Sequence, residues 1–331
     1  MSYECDRVFI PAHHQLSILV DLATSHNVDH HTLLRGSGLF LEDILSGNKL
    51  ISPLQFHWVL RNAQHAFQQP EIGFLFGERS LITPFNAAIK AILYAKTLRQ
   101  ALNSYIEFSA LVSPWLNPKM VVSPDTLYLY WLDENSQKNQ LLIEVCMSAI
   151  QTLTRHLFVQ KLPWRYEFNY AEPDYLEQYW AHLGSDLSFE RAMNCMCLPE
   201  AYLDMVLPQH ALTLSTISQM QAQHDLHYND LKHSFLNDLY DFLMQNIQTP
   251  IQLESTAEYF HMSPATFKRR LKKHDTHFQA QVDQARLHTA MMLYRVHGFK
   301  TEQIAQYLMI HDSTNFRRAF KRWCGLTPQS V

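Results

Sequence analysis

Two short stretches of this sequence bring cationic and hydroxyl side chains together at helical spacing. The first holds Ala265, Thr266, Lys268, Arg269 and Lys272. The second holds Ser313, Thr314, Asn315, Arg317, Arg318, Lys321 and Arg322. An arginine fork matches the O6 and N7 acceptors of guanine, while lysines, hydroxyls and amides hold phosphate oxygens or base edges. One such run alone is often only a solvated helix face. Here the pattern recurs 49 residues on, from Phe267 to Phe316, behind the same small-residue and turn signature. The repeat therefore points to a surface that grips a polyanion twice.

The elements that must position these residues are legible around them. Ala257 and Ala305 each sit where two helices cross closely, followed three residues later by Phe260 and Leu308. A turn comes next, one residue longer in the second copy. Ser263-Pro264 is a cap followed by a first-turn proline, and Asp312 or Ser313 serves the second helix. Phe267 with Leu271, and Phe316 with Phe320, are four apart and pack inward, which turns the cationic residues outward. These are two helix-turn-helix units, at about 252–273 and 301–323. The stretch from Gln279 to about Val296 reads as one helix joining them. Its buried stripe is expected at Val282, Ala285, Thr289 and Leu293, with Arg286 in a structural role.

The 331 residues carry a formal net charge of -4, which speaks weakly against a polyanion partner. That sum conceals an asymmetry. Residues 250–331 hold 12 basic and six acidic residues, +6, so the remainder is -10. A basic end attracts polyanions by its local field whatever the total. No apolar run is long enough to span a membrane, and no secretory signal is visible at the start. The five cysteines are odd in number and scattered, which fits reduced thiols. Cys195 and Cys197 would share one face of a strand and read as packing groups. His224, His227 and His233 read as a polar linker, since no zinc spacing of Cys and His is present. No metal or cofactor is expected. No nucleotide loop, G-x-S-x-G or H-E-x-x-H occurs, so no catalytic residue is assigned and an enzyme is disfavoured.

Upstream, the first 115 residues read as helical. Val121-Val122 and Leu127–Trp131 then form a hairpin about Pro124-Asp125. Leu141–Phe158 is a long apolar helix, and 166–170, 187–189 and 193–198 are short strands. The expected fold is an α+β amino-terminal domain over 1–225. An all-α carboxyl-terminal domain over 226–331 follows, with two helix-turn-helix units joined by a long helix.

The carboxyl-terminal residues resemble the DNA-binding domain of AraC/XylS-type transcription regulators. The second-unit signature of that family reads here as Ile304-Ala305, Leu308, Asp312-Ser313, Phe316-Arg317-Arg318-Ala319-Phe320-Lys321-Arg322-Trp323, Gly325 and Thr327-Pro328. The Gly-aromatic pair usual in the turn is expected at Ile310-His311, suggesting a turn that needs no positive φ or carries mild strain. Leu33–Leu39, Ile72–Glu78 and Thr97–Leu102 resemble the arabinose-binding-like effector domain of one branch. The resemblance implies an effector-responsive regulator, an activator with repression as the alternative. It also implies a cytoplasmic homodimer on the nucleoid whose partners are promoter DNA, RNA polymerase and a small effector. Tyr128, Tyr130, Trp131, Tyr166, Phe168 and Tyr170 are the candidates to line an effector pocket. Such a pocket would take a hydrophobic or fatty-acid-like ligand.

Overall fold

A computed structural model describes residues 2–67, 70–132, 140–231 and 233–328. The first strand, β1 (Ile10–Pro11), leads into helices α1 (Gln15–Ser25), α2 (His30–Leu34) and α3 (Leu41–Leu45). Strand β2 (Leu50–Ile51) pairs antiparallel with β1. Helices α4 (Pro53–Ala66), α5 (Ile72–Ser80), α6 (Ala87–Leu93), α7 (Leu98–Glu107) and α8 (Ser109–Val112) follow. Their starts are chemically marked. Ser52, Asn86 and Thr97 each accept a hydrogen bond from the backbone N–H three residues on, which satisfies a donor the helix cannot.

The hairpin expected from the aromatic run is β3 (Asn117–Val122) and β4 (Thr126–Leu132). Helix α9 (Gln140–Phe158) is buried along most of its length. Helix α5 packs along it so closely that a Cβ on Gly77 would lie 2.3 Å from the Val145 carbonyl oxygen. Strand β5 (Arg165–Glu167), helix α10 (Leu176–His182) and strands β6 (Leu187–Ser188) and β7 (Cys195–Pro199) complete the sheet. Its order is β3-β4-β7-β5-β6, with only β5 and β6 parallel. The strand expected over 166–170 is therefore shorter. Phe168 and Tyr170 lie beyond the paired residues.

The central strands β4 and β7 are buried on both sides. Leu127, Leu129, Trp131, Met196 and Leu198 join the amino-terminal core. Tyr130, Leu132, Cys195 and Cys197 alternate with them and join a second core formed mainly by the carboxyl-terminal helices. Period-two alternation divides the sheet between two hydrophobic cores.

Helix α11 (Leu212–Tyr228) runs through the expected division at 225/226, so the polar His224–Tyr228 segment is helical. Then come α12 (Phe235–Gln245), α13 (Leu253–Tyr259), α14 (Pro264–Lys273), α15 (Phe278–Arg295), α16 (Thr301–Tyr307) and α17 (Ser313–Cys324). Helix α15 is the joining helix, and its buried residues include Val282, Ala285, Thr289 and Leu293.

Candidate nucleic-acid interface

The two helix-turn-helix units are α13–α14 and α16–α17. Ala257 and Ala305 are buried between the helices of their units. In each turn one residue is left-handed: His261 at φ 55° and Met309 at φ 57°. The following N–H closes the same bond in both units, Met262 to Ala257 O and Ile310 to Ala305 O, each 2.9 Å. The reading of Ile310-His311 as the replaced Gly-aromatic pair is thus off by one residue. The position that favours glycine is Met309, and Ile310 is the half-buried apolar residue packed on the core. The turn does require positive φ, and a methionine adopts it against the steric preference of an L-residue. The extra residue of the second turn is His311, whose ring is exposed.

Helix starts then fix the rotation of both outward faces. Ser263 Oγ accepts from Thr266 N at 3.2 Å, and Asp312 Oδ1 from Asn315 N at 2.7 Å. Asp312, rather than Ser313, is the cap. That backbone bond holds its carboxyl below the usual range. Phe267, Leu271, Phe316 and Phe320 are fully buried.

What remains outside is a matched pair of surfaces. Ala265, Lys268, Arg269 and Lys272 are exposed on α14, and Thr314, Arg317, Arg318 and Lys321 on α17. With the 49-residue offset these fall at equivalent positions. Neither helix contains an acidic residue.

Other expected residues sit at the margins of these faces. Thr266 and Asn315 are engaged with the caps, through Thr266 Oγ1 to Ser263 Oγ (2.9 Å) and Asn315 Nδ2 to Asp312 Oδ2 (3.1 Å). Ser313 is half-buried. Arg322 lies 3.4 Å from Asp283 of α15, which also accepts from Trp323 Nε1 at 3.0 Å. Arg286 is half-buried beside Asp283, and burial lowers its pKa.

The six aromatics expected to line one pocket are not gathered into one. Tyr128 and Tyr130 face the carboxyl-terminal helices across a cavity of about 20 Å³. Trp131 points the other way and donates to Tyr105 Oη at 3.1 Å. Tyr166 donates to Gln151 of α9 at 2.7 Å, Phe168 stacks on Phe189, and Tyr170 meets Tyr179. Adjacent strand residues face opposite sides, so Tyr130 and Trp131 cannot share a cavity.

Three comparisons with known proteins bear on this arrangement. Residues 28–207 match the family described as the arabinose-binding domain of AraC transcription regulators, and residues 256–331 match a helix-turn-helix domain. The chain belongs to the AraC family. It is a transcriptional regulator with a helix-turn-helix DNA-binding domain of the AraC type. An ornithine utilization regulator of Pseudomonas aeruginosa is 22% identical over 313 residues, 94% of this chain and 92% of its own. An uncharacterized helix-turn-helix regulator of Mycobacterium tuberculosis is 24% identical, over 94% and 93% of the two chains. The solved structure of the regulator CdpR from Pseudomonas aeruginosa aligns over 96% of both chains, with 18% identity and a TM-score of 0.46.

In this AraC-family chain α14 and α15 are tied to the rest of the protein by residues the sequence patterns did not single out. Arg270 and Lys273, on the flank of α14, pair with Glu4 at 2.5 and 3.0 Å, and Lys273 also with Asp6 at 2.6 Å. Arg270 lies over the Phe235 ring. Across the sheet, Lys119 pairs with Asp241 and Arg295 with Glu167, both at 2.5 Å. Tyr240 Oη bridges Tyr130 Oη (3.3 Å) and His288 Nδ1 (3.1 Å). Burial pushes the His288 pKa down to about 3. These partners are distant in sequence, and no local pattern announces them. Among the described residues no helix is long and apolar enough to cross a membrane.

Proposed function

We propose that α14 and α17 read DNA, with Ala265, Lys268, Arg269, Lys272, Thr314, Arg317, Arg318 and Lys321 at the duplex. The matched exposed faces are the observation that carries this reading. Thr266, Ser313, Asn315 and Arg322 lie at the edges and would contact the backbone. Six of the central residues are cationic. If each neutralises one phosphate, log affinity should fall against log salt with a slope of about -5. A titration of promoter fragments recovered by genome-wide footprinting tests it. A flat salt response would refute it. The protein is proposed to act without enzymatic activity, in the cytoplasm on nucleoid DNA, as an activator that contacts RNA polymerase. A reporter fused to the recovered promoters tests the sign.

The proposed division assigns 1–225 to sensing and dimerisation and 226–331 to DNA. Helix α11 supports a homodimer. Its inner face is Ser215, Ser218 and Ala222, while Leu214, Ile217, Met220 and Tyr228 are exposed. Leu214, Ile217, Gln221, His224 and Tyr228 follow heptad spacing along one side. Covering this side on two copies would bury on the order of 1,200 Å², the lower range of stable interfaces. For the effector, a cleft of about 640 Å³ lined by Leu54, Trp58, Arg61, Trp115 and Lys273 has room for a fatty-acid-like amphiphile. A thermal-shift panel of fatty acids tests that ligand class.

A further inference from the structure

We propose that Cys195 and Cys197 chelate one soft monovalent metal ion, Cu(I), at the seam between the sheet and the DNA-binding helices. The two residues are alternate positions of β7, so their thiols share the face turned toward the second core. Their Sγ atoms are 3.9 Å apart. With metal–thiolate bonds of roughly 2.3 Å, that separation subtends an S–metal–S angle of roughly 115°. The angle lies between tetrahedral and trigonal. One ion can therefore bridge the pair with little movement of the strand. A disulfide is the poorer use of this pair, because strand residues two apart hold their Cα atoms about 6.6–6.8 Å apart, the far limit for that bond.

The donors around the pair choose the metal. Cys195 borders a cavity of about 20 Å³, room for one ion, together with Met193, Met291 and Met292. His288 lines it too, with Nδ1 engaged by Tyr240. Yet no group of three His, Cys, Asp or Glu side chains comes together as a metal site among the described residues. A structural zinc site needs four such donors. Two thiolates completed by a thioether suit Cu(I) instead. Half-buried Tyr128, Met292, Arg295 and Val296 border the cavity and leave it a way in. The hydrogen bond between the two thiols, together with burial, raises the Cys195 pKa well above its ordinary value, while the same bond lowers that of Cys197. Binding Cu(I) displaces both thiol protons to solvent. Nothing is oxidised or reduced. Met291 and Met292 belong to α15, the helix joining the two DNA-reading units. An ion held by β7 and α15 would tie the sheet to that helix.

The test is an anaerobic titration of the full-length, reduced protein with Cu(I) against a chromophoric Cu(I) chelator. Ag(I) serves as a redox-inert surrogate, and bound metal is counted after desalting. One equivalent per chain should be retained. Cys195→Ser and Cys197→Ser should each weaken retention more than tenfold, and Met291→Leu and Met292→Leu together should weaken it several-fold. Cys5→Ser and Cys324→Ser should leave it unchanged, and zinc should not be retained. Near-ultraviolet circular dichroism of each variant verifies that the core is intact. Loss of all metal to the chelator, or equal retention by folded Cys195→Ser and Cys197→Ser variants, would overturn the proposal. Retention of zinc in place of Cu(I) would overturn the choice of metal.

Discussion

Replacing Met309 with glycine should stabilise the protein, although it removes a side chain. Met309 occupies the turn of the second unit at φ 57° and is 67% exposed. A left-handed backbone costs an L-residue roughly 1–2 kcal/mol, and glycine escapes that cost. Glycine loses more backbone freedom on folding, which takes back roughly 0.5–1 kcal/mol. The thioether contributes little burial at that exposure. The net expectation is a gain of roughly 0.5–1 kcal/mol. The assay is urea denaturation followed by tryptophan fluorescence, with Trp323 packed on Phe316 and Phe320 as a local reporter. Met309→Ala is the decisive control, because it removes the same side chain but keeps the Cβ. It should give no gain. His261→Gly, at φ 55° in the first turn, should behave likewise. The two gains should add, since the sites lie in separate units. Equal midpoints for Met309→Gly and Met309→Ala would refute the strain argument.

Other outcomes follow from the same geometry. Ala305→Leu, at a fully packed helix crossing, should destabilise by roughly 1–3 kcal/mol and impair DNA binding, read by melting and fluorescence anisotropy. His288 has its pKa lowered from 6.5 to about 3, so the unfolded chain binds the proton first as pH falls. Its stabilising contribution is complete above about pH 6.5 and declines below it by up to roughly 1.4 kcal/mol per unit. His288→Gln should flatten that acid limb in denaturant melts at stepped pH. Ile217→Asp on α11 should convert the proposed dimer to a monomer in sedimentation velocity. An unchanged dimer would place the interface elsewhere.

The parts of this fold that were legible in the sequence are those governed by local chemistry. Ser263-Pro264, Asp312 and the Phe267/Leu271 and Phe316/Phe320 pairs fix the caps and faces of α14 and α17 within a few residues. The joining helix was placed to within a residue at each end for the same reason. The turn was misread by one position, because the inserted His311 shifts the register only after Ile310. The aromatic run of β4 was recognised as a strand. Treating Tyr128, Tyr130 and Trp131 as one lining ignored the alternation that sends Trp131 to the opposite core. The polar His224–Tyr228 segment looks like a linker in sequence. Its helical hydrogen bonds nevertheless continue to Tyr228. The ties from Glu4 and Asp6 to α14, and from Glu167 to Arg295, join residues more than a hundred positions apart. Single-sequence periodicity carries no information about such pairs.

Two equivalent helix faces, on α14 and α17, are proposed to read DNA together. The most direct measurement is the affinity of the full chain for its footprinted sites after Arg269→Ala and Arg317→Ala are combined. Each arginine should be worth about 1–3 kcal/mol if it makes a bidentate contact with a base. The double variant should therefore lose at least about thirtyfold in specific affinity while its melting curve stays unchanged. Each single variant should lose part of that. Full affinity retained by a folded double variant would contradict the assignment of α14 and α17 as the reading helices.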